Sequence, residues 1–183
     1  GIGAWPTDVL AGYLKDGAAP GLGLSSGPMA EVVENSLRHL TDADRQAIAV
    51  FLKDSPPRSE GVPRPQQVTL AEPGSGSALG NKLFAEACAS CHRWDGTGNQ
   101  SQTAMLLGLK TVNDPAASNL LGILLSGHGA ADAPVNRRMP SFGNIYTDQE
   151  LAALSSFMLQ RFGESGAQVS VPAVAKRRTE SLH

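Results

Sequence analysis

Part of this chain occurs twice. Displaced by 110 residues, Leu10 falls on Leu120, Gly12 on Gly122, Leu14 on Leu124, Gly17 on Gly127 and Met29 on Met139. After a four-residue slip, at a displacement of 106, Thr41-Asp42 falls on Thr147-Asp148, Asp44 on Glu150, Ala47 on Ala153, Ile48 on Leu154 and Phe51 on Phe157. The methionine keeps its distance from the second glycine in both copies (29 − 17 = 139 − 127 = 12). Such self-similarity marks a duplicated structural unit. The longer copy runs from about Ser75 to Gly163, whereas residues 1–54 match only its second half. The sequence therefore reads as one and a half copies of one domain. Residues 55–74 lie between them, with prolines at 56, 57, 63, 65 and 73 and no helical periodicity. That composition predicts an extended, semi-rigid linker, with Val62, Val68 and Leu70 able to pin it to a domain surface. The tail, residues 164–183, mixes small residues with valines and charges and suggests no assignment.

The longer copy carries Cys88-Ala-Ser-Cys91-His92 in its first half. Two thiols three residues apart, followed at once by an imidazole, form the attachment signature of a c-type haem. One helical turn places both sulfurs to make thioethers with the two vinyl groups of the porphyrin edge. The adjoining histidine then points under the ring to ligate the iron. The alternatives are a redox dithiol, a structural disulfide or half of a zinc site. Cys88 and Cys91 are the only cysteines, so no second pair completes a four-thiolate zinc or iron–sulfur centre. A thioredoxin-like pair would sit between a strand and a helix, and no β-rich run precedes Cys88. Covalent haem fits the motif best, one group in this chain. The abrupt start at Gly1-Ile-Gly-Ala-Trp5, without a methionine or signal peptide, leads us to expect native sequence upstream, including an export signal. A second haem belongs to the expectation only with that upstream sequence, where the missing half copy would hold its own attachment motif.

Composition narrows the function classes. Fifteen Lys and Arg against seventeen Asp and Glu give a net charge of −2 and no basic face to follow a phosphate backbone. The one basic cluster, Lys176-Arg177-Arg178, reads as a solvated end. No apolar run approaches the roughly 20 residues needed to span a bilayer.

Helical periodicity dominates the longer copy. Leu79, Leu83, Phe84 and Ala87 make one apolar stripe over residues 78–89 leading into the Cys-His motif. Leu120, Leu121, Leu124 and Leu125 mark a second short helix stopped by Gly127. Thr147 or Asp148 caps a third, with Leu151, Leu154, Phe157 and Met158 on its buried side and Gly163 after its end. The first-copy counterpart runs from Asp42 to about Lys53, with Ala47, Ile48 and Phe51 predicted inward. Asp8, Asp42, Asp148 and Glu150 read as helix-start charges, without the clustered partners of acid–base catalysts. Strand signals are nearly absent. About 90 residues of short helices and loops are marginal alone, and a buried porphyrin would give them a large apolar centre.

With these features together, residues 75–163 resemble a cytochrome c domain. The match rests on Gly80 and Phe84, whose family counterparts cross the last helix, here at Phe157, and on Cys88, Cys91 and His92. It also includes Met139-Pro140-Ser141-Phe142-Gly143, similar to the family segment that carries the sixth iron ligand. More narrowly, Cys91-His92-Arg93-Trp94-Asp95-Gly96-Thr97-Gly98, with Gly27-Pro28-Met29-Ala30 and the tandem layout, resembles the multi-haem cytochrome c subunits of membrane-bound bacterial alcohol, gluconate and aldehyde dehydrogenases. Those subunits carry three such domains. The resemblance implies an all-α cytochrome c fold, one complete domain plus the second half of another. Residues 1–54 would be the later half of the middle domain and residues 75–163 the last, so the chain departs from the family in lacking the first domain and the second haem motif.

Four methionines and three further histidines compete for the sixth position. Met139 lies 47 residues after His92 (139 − 92), before a loop-stiffening Pro140 and just ahead of the last helix. We expect it to be the ligand, with core packing as the alternative. Met29 holds the equivalent place in the first copy and is expected to face a second iron whose attachment motif lies outside this chain. Met105 and Met158 read as core, the latter falling on Leu52 in the repeat. His128, after Gly127, reads as a surface residue or a weak competitor for iron. His39 has no metal partner at useful spacing, and His183 ends the chain. Trp94 reads as an aromatic filling space beside the porphyrin.

An iron held by both His92 and Met139 has no vacant position for oxygen or peroxide, so the expected role is one-electron transfer and not substrate turnover. The expectation is an electron-transfer subunit of an oxidoreductase complex, on the periplasmic or outer face of a bacterial inner membrane. It would take electrons from a dehydrogenase catalytic subunit and pass them to a quinone, a terminal oxidase or another cytochrome. A free periplasmic tandem shuttle and a peroxidase-like haem are the alternatives.

Overall fold

The computed structural model describes residues 2–56, 77–99, 101–130, 132–133 and 138–180. Nearly all of the expected linker, including Val62, Val68 and Leu70, and His183 lie outside the described residues.

The first unit opens with α1 (Thr7–Asp16), whose Leu10 and Leu14 are buried. Gly17 ends it at φ 70°, in the left-handed region that glycine enters without a Cβ penalty, and its N–H caps the helix by donating to Tyr13 O. Two short antiparallel strands follow, β1 (Ala18–Ala19) and β2 (Gly23–Leu24), then α2 (Pro28–Asn35) with its proline at the first helical position. The unit closes with α3 (Asp42–Asp54), which packs on α1. The Thr41 hydroxyl accepts the Asp44 N–H at 3.1 Å, so the start expected there is a true side-chain cap.

The second unit is α4 (Ala78–Ala87), α5 (Ala89–His92), α6 (Lys110–Asn113), α7 (Ser118–Ser126) and α8 (Asp148–Phe162). A Thr147–Glu150 capping box starts α8: the Thr147 hydroxyl accepts from Glu150 N at 3.3 Å, and the Glu150 carboxylate accepts from Thr147 N at 2.8 Å. α7 ends at Gly127, φ 80°, as α1 ends at Gly17. The core forms where α4 crosses α8. Leu151, Leu154, Phe157 and Met158 all face inward, as their spacing predicts. A Cβ at Gly80 would stand 2.2 Å from Ala153 O and 2.7 Å from Phe157 Cβ, so glycine is what lets the two backbones touch. Phe84, Phe157 and Phe162 stack around the crossing with ring centroids 5.2–6.4 Å apart.

Three sequence expectations change. Leu79 is exposed, because the buried turn of α4 carries Gly80 in its place. Ala47 and Phe51 of α3 are also exposed; the inward side is Arg45 and Ala49, with Ile48 half-buried. The basic cluster, finally, is not simply a solvated end, because it lies on a docked helix. Residues Val171–Glu180 form α9, which packs on α7 and α8 with Val174 fully buried. Within the basic cluster Lys176 is exposed, but Arg178 is largely covered and hydrogen-bonded to the segment before α8.

The two units touch through backbone and small side chains. Lys110 N donates to Leu22 O at 3.1 Å, and Asn119 Nδ2 donates to Leu24 O at 2.7 Å. The Met105 sulfur lies against Gly21, so Met105 packs between units, while Met158 is core as expected. Arg38 makes a bidentate pair with Asp132 at 3.0 and 3.1 Å on the rim.

Candidate haem site

α4 delivers the Cys-His motif directly. Cys88 N donates to Phe84 O at 2.9 Å as the helix ends, and the chain turns again into the single-turn α5 that carries Cys91 and His92. His92 N donates back to Cys88 O at 2.9 Å, so one turn spans both thiols and the imidazole. Cys88 is buried and Cys91 exposed. Burial, with a smaller contribution from Cys91, pushes the Cys88 thiol up to about 12. Arg93 ends α5 at φ 61°, ψ 159°, a sparse region for a residue with a Cβ. The loop beyond it folds back: Gly98 N donates to His92 O at 3.2 Å, Asn99 N to Cys91 O at 2.9 Å, and Arg161 of α8 to Trp94 O at 3.0 Å. Trp94, 41% exposed, lays its ring on Phe84 at 5.4 Å and Phe157 at 6.4 Å, so it fills space over the helix crossing.

The tautomer of His92 follows from one contact. Its Nδ1 lies 2.7 Å from Ala104 O. A carbonyl can only accept, so Nδ1 carries the hydrogen and the Nε2 lone pair is left free for a metal. Burial holds the imidazole below its ordinary pKa, which favours the neutral ligating form. A backbone oxygen twelve residues on leaves no trace in the sequence, and Ala104 went unnoticed there.

Met139 lies in the segment between α7 and α8. It forms an isolated antiparallel bridge with His128: His128 N donates to Met139 O at 3.0 Å, and Met139 N donates to His128 O at 2.9 Å. Half-buried, it packs on the same core cluster that contains Cys88, Phe142 and Phe84. The segment after it is tied to α7, with Phe142 N donating to Leu124 O at 2.8 Å and the Ser141 hydroxyl to Leu125 O. Phe142 stacks on Tyr146, ring centroids 5.5 Å apart. A Cβ at Gly143 would stand 2.6 Å from Leu125 O, so the segment lies close against the end of α7. The fold thus brings Cys88 and Met139 to one apolar cluster, with His92 in the turn that follows Cys88.

The residues fit a covalent haem. Two free thiols one turn apart, an imidazole whose Nε2 is left free, and a thioether packed on the same apolar cluster as Cys88 are a donor set such a group could take. Among the described residues, no group of three or more His, Cys, Asp or Glu side chains could hold a bare metal ion.

The other candidates separate. Met29 lies in the first turn of α2, half-buried, and among the described residues makes no bridge like that of Met139, so the repeat keeps its sequence position without its local structure. His128 is not a surface residue: half-buried, its Nδ1 donates to Ser25 O at 3.1 Å, and burial lowers its pKa. It joins the two units instead. His39 is exposed beside Glu34 O.

Residues 77–161 match the family model described as cytochrome c. The chain is 32% identical to the fructose dehydrogenase cytochrome subunit of Gluconobacter japonicus, over 97% of this chain and 41% of that protein. It is 33% identical to the cytochrome c subunit of the quinone alcohol dehydrogenase of Gluconobacter oxydans, over 98% of this chain and 39% of that protein. It is also 33% identical to the gluconate 2-dehydrogenase cytochrome c subunit of Pantoea cypripedii, over 94% of this chain and 41% of that protein. The chain spans about two-fifths of the length of these relatives. Helical architecture, donor set and family match agree: residues 77–161 are a cytochrome c domain, the kind that binds haem c covalently.

Proposed function

We propose that the chain is the electron-transfer end of a cytochrome subunit serving a dehydrogenase complex, with Cys88 and Cys91 as thioether anchors and His92 and Met139 as axial ligands. The observation that carries this reading is the His92 Nδ1–Ala104 O contact, which holds the ring by one nitrogen and leaves Nε2 free to ligate a metal. Bound there, the haem supplies a one-electron iron couple, and a methionine thioether favours its ferrous state. The chain's own residues do the rest. Cys88 and Cys91 would tether the haem, Ala104 O orients the His92 ring, and the His128 bridge fixes the Met139 backbone, whose thioether would close the sixth position to small exogenous ligands. The relatives named as dehydrogenase cytochrome subunits favour a complex over a free shuttle. In this reading a catalytic subunit donates electrons, a quinone or terminal oxidase or cytochrome accepts them, and the protein works on the periplasmic side of a bacterial inner membrane. Among the described residues no helix is long and apolar enough to cross a membrane. Residues 1–54 are, in the same reading, the later half of a neighbouring cytochrome domain with Met29 on its distal side, residues 55–74 a linker and residues 75–163 the complete domain. The matched helix caps at Thr41 and Thr147 and the matched glycine stops at Gly17 and Gly127 support that division.

Expression in cells equipped for c-type maturation tests the reading. Pigment should stay with the polypeptide through acid–acetone extraction, and mass spectrometry should show one haem adduct on the Cys88–Cys91 peptide. A colourless chain with two free thiols would overturn it. Met139→Ala should abolish the weak red absorption band of a methionine–ferric bond, whereas Met29→Ala should leave it. Co-purification with a dehydrogenase catalytic subunit separates the complex from the free shuttle.

A further inference from the structure

The C-terminal helix α9 does more than cover apolar surface. Its fully buried Val174 docks it on α7 and α8, and one turn later Arg178 reaches the segment between Met139 and α8. The guanidinium makes three kinds of contact there. Nη2 donates to Tyr146 O at 3.0 Å, Nη1 donates to Gly143 O, and Nε pairs with the Asp148 carboxylate at 2.7 Å. The near end of that segment is fixed by the His128 bridge and by Leu124 and Leu125 of α7. Among the described residues, the other hydrogen bonds given to its far end, Gly143 to Tyr146, come from the same segment: Gly143 N to the Ser141 hydroxyl at 3.3 Å, and Ile145 N and Tyr146 N to Phe142 O at 3.0 Å. Arg178 therefore supplies the fixed donors that carry the far end back onto the body of the domain. Arginine suits this because its planar fork can serve two carbonyls and a carboxylate at once, which a lysine ammonium on a flexible stem cannot reproduce.

We propose that Arg178 is a positioning residue for the distal ligand: it clamps the segment after Met139, sets how firmly the thioether holds the iron, and so sets how readily an external ligand replaces it. This rests on Met139 being the sixth ligand. The clamp lies outside the segment matched to the family model, which ends at residue 161, so α9 would be an added device on a standard domain. No electron or proton moves in the step considered. One iron–sulfur bond is exchanged for one iron–nitrogen bond.

The test is imidazole binding to the ferric, haem-loaded full chain, followed by loss of the red methionine band, with the reduction potential measured on the same samples. Arg178→Ala should tighten apparent imidazole affinity about ten-fold, the effect of losing one charge-assisted hydrogen bond or two ordinary ones from the Met-ligated state. Its potential should fall. Arg178→Lys should recover little, and Asp148→Asn, which leaves both carbonyl contacts, should give a smaller change. Lys176→Ala, on the exposed side of the same helix, should match the parent. Val174→Ala, which loosens the docking of α9 without touching the clamp itself, should move affinity in the same direction as Arg178→Ala and serves where that variant folds poorly. A parent with a red band that Met139→Ala abolishes, together with Arg178→Ala and Val174→Ala of parental affinity and potential, would overturn the clamp and leave the ligand standing. A parent with no red band would overturn the ligand and the clamp with it.

Discussion

Helices α3 and α8 occupy matched positions in the sequence repeat and live in different surroundings. Both start at a threonine cap with acidic residues in the first turn, and both carry the alanine–phenylalanine pair Ala47/Phe51 and Ala153/Phe157 at matched positions. In α8 that pair is crossed by α4 through Gly80, and Phe157 is fully buried. Among the described residues α3 has no such crossing helix, and Phe51 is 71% exposed with Val50 beside it at 54%. The opposite faces diverge as well. Where α8 buries Leu151, α3 places Arg45, whose guanidinium donates to Leu37 O and Arg38 O at 3.1 and 3.2 Å and pairs with Asp42. Leu40 O accepts from it too. A helix therefore does not carry its burial in its own pattern. The same phenylalanine is core or surface according to whether a glycine-bearing partner lies across it. The uncovered face of α3 agrees with the proposal that residues 1–54 are half a domain.

Deleting the ring in each helix separates these environments most sharply. Phe157→Ala should destabilise the haem-loaded chain by roughly 3–5 kcal/mol, the usual cost of emptying a packed aromatic site. Phe51→Ala should fall within about 0.5 kcal/mol of the parent, as exposed substitutions do. Denaturant unfolding followed by circular dichroism reads both. Equal losses would mean that Phe51 is covered in solution, and the contrast between the helices would disappear.

The glycines give a second contrast, opposite in sign. Gly80→Ala forces α4 away from Ala153 O and should cost about 1–3 kcal/mol. Gly12→Ala, in α1 with nothing within 4 Å of the new methyl group, should stabilise by about 0.5–1 kcal/mol through helix propensity alone. A destabilising Gly12→Ala would show that α1 has a close neighbour in solution.

The same contrast explains what was legible in advance. The Cys88–His92 turn, the buried face of α8 and the caps at Thr41 and Thr147 are local or periodic features, and the structure places them as the sequence implies. The inward orientation expected for Phe51 was carried over from its repeat partner, and it failed because burial belongs to a helix pair. His128 reads as a loop histidine until Ser25 of the other unit is brought beside it. α9 escaped because its apolar contribution is mainly Val174, with Arg178 disguised as one member of a basic cluster. Ala104 contributes only a carbonyl, which no side chain announces.

Capping gives a smaller difference. Thr147→Ala removes the acceptor of the Glu150 N–H and half of a reciprocal box, and should cost about 1 kcal/mol. Thr41→Ala removes the acceptor of the Asp44 N–H and a donor to the Asp44 carboxylate, but no reciprocal box, from a helix with fewer tertiary contacts to lose, and should cost less. Hydrogen exchange at the first turns of α3 and α8 resolves the two. A larger loss at α3 would reverse the ranking.

The smallest effect separates the two caps by acid. The Thr147 backbone N–H, then its hydroxyl, hold the Glu150 carboxyl below the ordinary value of 4.5. At the start of α3 it is Asp42 that is held low, by its hydrogen bond to Arg45 and then by Lys15. For both groups the folded pKa lies below the unfolded one. Each therefore adds stability that is complete above the ordinary carboxylate value and is lost as pH falls from there through the depressed folded value. Salt should tell them apart. Asp42 relies on two cations at an exposed site, so raising the ionic strength should move its titration back toward the ordinary value. Glu150 is held by hydrogen bonds from its own N-cap residue, and its titration should shift less. Carboxyl titrations followed by NMR at low and high salt read both groups in one sample. An equal salt shift would mean that the α8 box is held by charge rather than by its hydrogen bonds.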